Sequence, residues 1–195
     1  MKKIAIMLTL LCVAAFAQQK GSFTDTRDKK TYKTVKIGKQ TWMAENLNYD
    51  AKGSKCYDNK PANCEKYGRL YDISTAMKAC PSGWSLPSYG VRGIEGYDET
   101  LAKKLKSASG WSNNGNGTDE FGFSALPGGQ YYYDFYGIRK EGFYDIGEVG
   151  YWWGAYDSNE DGDGDGAYYW SISDSDGWNP SKGMNPLLSV RCVKN

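Results

Sequence analysis

The chain contains no histidine. That absence removes Ser-His and Cys-His nucleophilic triads, and it leaves zinc without one of its two usual ligand types. No Gly-x-Ser-x-Gly turn and no phosphate-binding loop occur. Charge of one sign is also missing, since 24 Lys+Arg face 23 Asp+Glu for a net +1. There is no basic footprint for nucleic acid and no acidic tail. Acids are plentiful, so a carboxylate pair for glycoside hydrolysis stays open, but nothing in the sequence selects one. Long apolar runs are confined to residues 4–16, where only Thr9 interrupts.

That run follows Lys2 and Lys3 and ends at Ala15-Phe16-Ala17. A basic start, a short apolar stretch and small residues at the end form a secretory signal peptide, with cleavage expected after Ala17. The run is too short to span a bilayer. Leu11 before Cys12 does not fit lipid attachment. The expected division is therefore a signal peptide at 1–17, a short polar leader at 18–22 and one domain at 23–195. Loss of Lys2 and Lys3 takes the 24 basic residues to 22 against 23 acids, a net −1. The expectation is an exported protein, secreted or associated with the cell surface, with no membrane span in its mature part.

Without Cys12, four cysteines are left: Cys56, Cys64, Cys80 and Cys192. An even number in an exported chain reads as disulfides. Cys56 and Cys64 flank the turn signal Asp58-Asn59-Lys60-Pro61, which makes a local Cys56–Cys64 bridge natural. Cys80–Cys192 is then the other, tying mid-chain to the last strand.

Residues 31–43 alternate and are rich in β-formers around Gly38-Lys39, which predicts a hairpin. Leu70, Ile73, Met77 and Cys80 share a helical face, predicting a helix over 67–79 that ends at Pro81. Leu101 and Leu105 predict a second helix over 99–108. From Trp111 onward the chain turns to Gly, Tyr, Trp, Asn and Asp. Short strands are predicted at 121–126, 130–135, 150–155, 167–172 and 187–193. The fold class that follows is α+β: an N-terminal hairpin, two helices and a loop-rich antiparallel region.

Several motifs now stand in order. They are Tyr32-Lys-Thr-Val-Lys-Ile-Gly-Lys-Gln-Thr-Trp-Met-Ala-Glu-Asn-Leu-Asn48, Cys56-Tyr57-Asp58-Asn59, Tyr67-Gly68-Arg69-Leu70-Tyr71, Ala79-Cys80-Pro81-Ser82-Gly83-Trp84, Gly122-Phe123-Ser124-Ala125-Leu126-Pro127-Gly128-Gly129, Tyr151-Trp152-Trp153 and Ser189-Val190-Arg191-Cys192-Val193. Together they resemble the Fibrobacter succinogenes major paralogous domain over about residues 23–195. The resemblance implies a C-type-lectin-like fold, with a helix pair beside a twisted antiparallel sheet. It also implies a disulfide from a helix cysteine to the final strand, a role that Cys80 and Cys192 fit. It implies no settled activity. Two departures stand out: Tyr89-Gly-Val-Arg-Gly-Ile-Glu-Gly96 follows Leu86-Pro87-Ser88, and Trp153-Gly154-Ala155 stands where the family tends to have Trp-Ser-Ser.

Two constellations bear on function. Aromatic residues crowd the stretch 131–178, and Tyr and Trp combine an apolar face with a polar handle that suits sugars and protein partners. A core poor in aliphatics also draws on such rings. Alternation puts one of Trp152/Trp153 and one of Tyr131/Tyr132 inward. Tyr131, Tyr133, Trp153, Trp170 and Trp178 are the expected stacking or anchor positions. Asp161, Asp163 and Asp165 open like a calcium loop, but Ile172 stands where an EF-hand needs its bidentate Glu. A looser calcium site is the chemistry they allow, and no other cofactor is implied. The sequence thus reads as a non-enzymatic binding module for an extracellular polysaccharide or a cell-surface protein. A structural surface protein without a small ligand is the alternative, and a carboxylate-pair hydrolase the third reading.

Overall fold

The computed structural model describes residues 19–88, 100–134, 137, 139–155, 168–173, 178–182 and 186–194, with 178–182 given by strand pairing alone. The N-terminal hairpin forms where its alternation predicts. Strand β2 (Thr31–Ile37) turns at Gly38, whose φ of +58° suits glycine, into β3 (Gln40–Met43). Residues 20–22, read from sequence as the end of a polar leader, instead open strand β1 (Lys20–Thr24), which pairs antiparallel with β2. Its polar side chains suit a mostly exposed edge.

Helix α1 (Pro61–Tyr67) begins with proline at its first turn and stops at Gly68, φ +75°. The helix predicted over 67–79 is divided. Leu70–Tyr71 is strand β4, and only Ile73–Ala79 is helix α2. Asp72 starts α2, since its Oδ1 accepts from the Thr75 amide at 2.9 Å. The buried face of α2 is Ala76 and Ala79, while Met77 is 55% exposed. The apolar spacing of Leu70, Ile73, Met77 and Cys80 therefore joined a strand residue to a helix. Helix α3 (Leu101–Leu105) is shorter than predicted, yet Leu101 and Leu105 are both buried.

The remaining strands are β5 (Gln130–Tyr132), β6 (Gly142–Tyr144), β7 (Val149–Gly154), β8 (Tyr168–Ser173), β9 (Trp178–Lys182), β10 (Leu188–Ser189) and β11 (Val193–Lys194). They form three sheets, ordered β1-β2-β3-β11, β4-β10-β7-β8-β9 and β5-β6. Pairing is antiparallel except between β10 and β7. The strand predicted at 121–126 reduces to one bridge, Ala125 to Lys106. The strand predicted at 187–193 is two strands in two sheets, with Val190, Arg191 and Cys192 crossing between them. The architecture is α+β. Among the described residues no helix is long and apolar enough to cross a membrane.

The five-stranded sheet is covered on both faces. Trp152, Trp170 and Ile172 pack with Val35, Ile37, Trp42, Leu101, Leu105 and Phe123. On the other face Trp153 and Leu188 pack with Tyr71, Ala76, Ala79, Met43 and Leu47. Two disulfides pin this arrangement. Cys56–Cys64 closes the start of α1, and Cys80–Cys192 joins the end of α2 to the crossing segment.

Candidate functional site

The β5-β6 ribbon carries the aromatic surface. Tyr131 lies directly opposite Phe143 in the ladder, and Tyr133 stands two residues further on, so the three share a face. Tyr132 points the other way and is buried. The three rings are half-buried. One side of them covers a small core of Tyr57, Leu70 and Leu187. Tyr131 meets Tyr133 edge to face at 4.9 Å and Phe143 at 4.7 Å, and Phe143 reaches Tyr57 at 5.0 Å. Edge-to-face packing holds each ring in a fixed pose.

Polar groups fringe these rings. The Tyr131 hydroxyl donates to Glu141, and Lys55 Nζ lies 5.0 Å over the Tyr131 ring. The Glu141 carboxylate pushes the Tyr131 phenol up to about 12. Burial raises Tyr133 as well, helped by the charges of Glu141 and Asp72. Both hydroxyls thus stay protonated donors at neutral pH. Behind the ribbon Asp145 gathers bonds: its Oδ2 accepts from Gln130 at 2.8 Å and from the Tyr151 hydroxyl at 2.9 Å. Burial, then Asp145, pushes Tyr151 well above its ordinary value. Arg139 stacks 3.4 Å over Tyr144. The ribbon is anchored to the domain where Tyr131 and Leu187 exchange backbone hydrogen bonds, and where Gly129 N donates to Val149 O.

Gly129 makes that approach tight. Its φ is +66°, and a Cβ there would sit 2.3 Å from Tyr144 O and 2.8 Å from the Tyr57 ring. The Leu126-Pro127-Gly128-Gly129 run thus sets the ribbon's position.

Among the expected anchors, Tyr131 and Tyr133 stand together on this face. Trp153 and Trp170 do not join them, and their assignment as stacking positions is corrected. Trp153 is 3% exposed and donates from Nε1 to Tyr71 O at 2.7 Å. Trp170 is fully buried and stacks on Trp152 at 4.4 Å. Alternation does send Trp152 and Trp153 to opposite faces, but each face of this sheet meets a core. Trp178 is described only as a member of β9. Asp161, Asp163 and Asp165, the calcium candidates, lie outside the described residues, as does the 89–96 departure.

A second group went unread in the sequence. Asn46 Oδ1 accepts from Trp152 Nε1 at 2.8 Å and from Arg191 Nε and Nη2 at 3.0 and 2.7 Å. Asn46 Nδ2 donates to Tyr67 O at 2.8 Å. Arg191 also donates to Phe123 O and stacks on the Phe123 ring at 4.2 Å. Both residues sit inside motifs quoted above. Their meeting was hidden because they lie far apart in the chain.

Comparison with known proteins gives one result. The model of the Fibrobacter succinogenes major domain matches residues 35–194, and the chain belongs to that family. No curated protein and no solved structure matches.

Proposed function

We propose that this member of the Fibrobacter succinogenes major domain family is a non-enzymatic binding module, secreted or held at the cell surface, that grips extracellular polysaccharide through the β5-β6 ribbon. The observation that carries the reading is the shared face of Tyr131, Tyr133 and Phe143, fixed by Gly129 and fringed by Glu141 and Lys55. Half-buried rings offer apolar faces to pyranose C–H groups, and the fringe offers donors and acceptors to hydroxyls. Because the rings meet at 69–73°, they suit a chain that twists across them better than a flat ribbon of sugars. Export is supported by the two disulfides. A C-type-lectin-like fold is the finer reading of the architecture, favoured by the bridge from the end of α2 to the segment before the last strand.

A non-enzymatic role is favoured by how acids are engaged. Glu141 accepts from Tyr131, and Asp145 is held by Gln130 and Tyr151. The test is retention of the oxidised protein on insoluble cellulose, xylan and chitin, with and without chelator. Tyr133→Ala and Phe143→Ala are expected to lower retention at least several-fold with the fold intact. Retention unchanged in both variants sinks the ribbon as the site. No retention on any polymer moves the reading to a protein partner or a structural surface role. Loss of retention with chelator would bring Asp161, Asp163 and Asp165 into the site as calcium ligands.

A further inference from the structure

A cleft of about 690 Å³ opens beside the N-terminal sheet, between its first two strands, α1 and the 119–126 segment. That volume suits a short oligosaccharide or similar small molecule. It shares no lining residue with the ribbon.

Its charge is unbalanced toward positive. Lys20, Lys30, Lys33, Lys66 and Arg191 line it with Glu45, Glu65 and Asp119. The acids are engaged locally. Both Asp119 oxygens accept from Ser124, at 2.7 Å each. Glu45 accepts from the Lys33 amide at 2.7 Å, and Glu65 receives Asn48 Nδ2 at 3.5 Å. Lys20, Lys33 and Lys66 are exposed. Arg191 is 1% exposed, and its acceptors are neutral: Asn46 Oδ1 and the carbonyls of Phe123 and Ser124. Burial pushes it down to about 9. A buried guanidinium whose hydrogen-bond acceptors are all neutral is costly; the nearby Asp119 and Glu45 carboxylates offset part of that cost, and a further anion relieves more of it.

A second observation narrows the ligand. Asn48 lines the same cleft, is 8% exposed, and its Oδ1 is a buried acceptor without a hydrogen-bond partner. Buried acceptors want donors. A simple sulfate, which carries no proton at neutral pH, would answer the cations and leave Asn48 Oδ1 unpaired. Lys33 Nζ also lies 3.8 Å from Glu45 Oε1, so part of the positive charge is paired; a neutral sugar would answer Asn48 and leave the excess of cations over acids unanswered. A hydroxylated carboxylate answers both.

We propose that this cleft is a second binding site, for a carboxylated sugar unit of the uronic acid class. The carboxylate lies among the lysines above Arg191, and a ring hydroxyl donates to Asn48 Oδ1.

The test is calorimetric titration of the oxidised full-length chain with trigalacturonate, xylotriose and inorganic sulfate at low salt. Trigalacturonate is expected to bind at least tenfold more tightly than either of the others. The combined variant Lys20→Gln, Lys33→Gln, Lys66→Gln should weaken it about tenfold, as three surface charges together would. Those side chains are exposed, so the fold is not at risk. Asn48→Asp should weaken it further by repelling the anion, whereas Tyr133→Ala should leave it unchanged. Equal binding of xylotriose, equal binding of sulfate, no heat with trigalacturonate at millimolar concentration, or indifference to the lysine substitutions would each overturn the proposal. Loss with Tyr133→Ala would overturn its separateness from the ribbon.

Discussion

Asn46 is where loss of one side chain should cost most. In Asn46→Ala, Trp152 Nε1 loses its 2.8 Å acceptor inside a dry core, and Arg191 loses two of its bonds. Tyr67 O also loses its side-chain donor. An orphaned buried neutral donor costs about 1–3 kcal/mol, and bonds to a charged group somewhat more, so the sum is roughly 4–6 kcal/mol. Total stability of a domain is about 5–15 kcal/mol. Asn46→Asp should cost about half as much. It keeps an acceptor for Trp152 and supplies Arg191 with a counter-charge, but sets an oxygen against Tyr67 O. The sign of the pH dependence follows from Arg191. Its folded value near 9 lies below its ordinary one, because burial disfavours the cation. Below that value both states are charged and the full penalty is present. As pH rises through it, the unfolded state holds more protons, so this group adds stability in alkali. Asn46→Asp should remove that rise by holding Arg191 charged. Urea denaturation of the oxidised protein, followed by tryptophan emission, measures all three quantities. A loss under about 1.5 kcal/mol in Asn46→Ala, or an Asp variant less stable than the Ala variant, would refute the reasoning.

The bridges should differ in worth. Cys80–Cys192 spans 112 residues and Cys56–Cys64 spans 8. Chain entropy gives about 5 and 2.5 kcal/mol respectively. Paired Cys→Ser variants compared by denaturation midpoint check the order. Burial raises Asp72, but hydrogen bonds from Ser74 and Thr75 outweigh it and hold the carboxyl below its usual range. Its stabilising effect is thus present above its ordinary range and lost as pH falls through the depressed value. Asp72→Ala should cost about 1 kcal/mol at neutral pH, and the difference should vanish in strong acid; urea melts at both pH values decide. Gly129→Ala should cost about 2 kcal/mol or more, and should speed amide exchange first in 130–132 and 142–144. Unchanged exchange there would remove Gly129 as the ribbon's anchor.

Local features were the legible ones. The 31–43 hairpin, the start of the 149–154 strand, and the short Cys56–Cys64 bridge each rest on neighbours in sequence. The α2 boundary was not legible, because Leu70 is apolar at helical spacing yet pairs with Ser189 in a ladder. Trp153 and Trp170 were misplaced for a related reason. Period-two alternation says that neighbours part company. It does not say whether the second face meets solvent or another core. Strand β6 was missed because Gly142-Phe143-Tyr144 offers three residues and no alternation to count. The cleft was invisible because its lining comes from five separated stretches, around residues 20–34, 44–48, 64–68, 119–126 and 191.

Among the described residues, covering both faces of the five-stranded sheet leaves the proposed binding to the periphery. Trp152 and Trp170 are spent on one core and Trp153 on the other. Among the described residues, the short ribbon, set off the sheet by Leu187 and Gly129, and the cleft beside the N-terminal sheet lie outside these cores. The crossing segment connects them to the core, since Val190 and Cys192 pack inward among the second core's residues while Arg191 turns toward Phe123 and the cleft. Arg191 serves the fold by bonding three neutral oxygens and stacking on a ring. None of those contacts cancels its charge. Asp119 and Glu45 offset part of that charge; what remains at the cleft is a fixed feature of the fold, above which exposed Lys20 and Lys33 can vary, whereas Lys66 lies 4.7 Å over the buried Tyr67 ring.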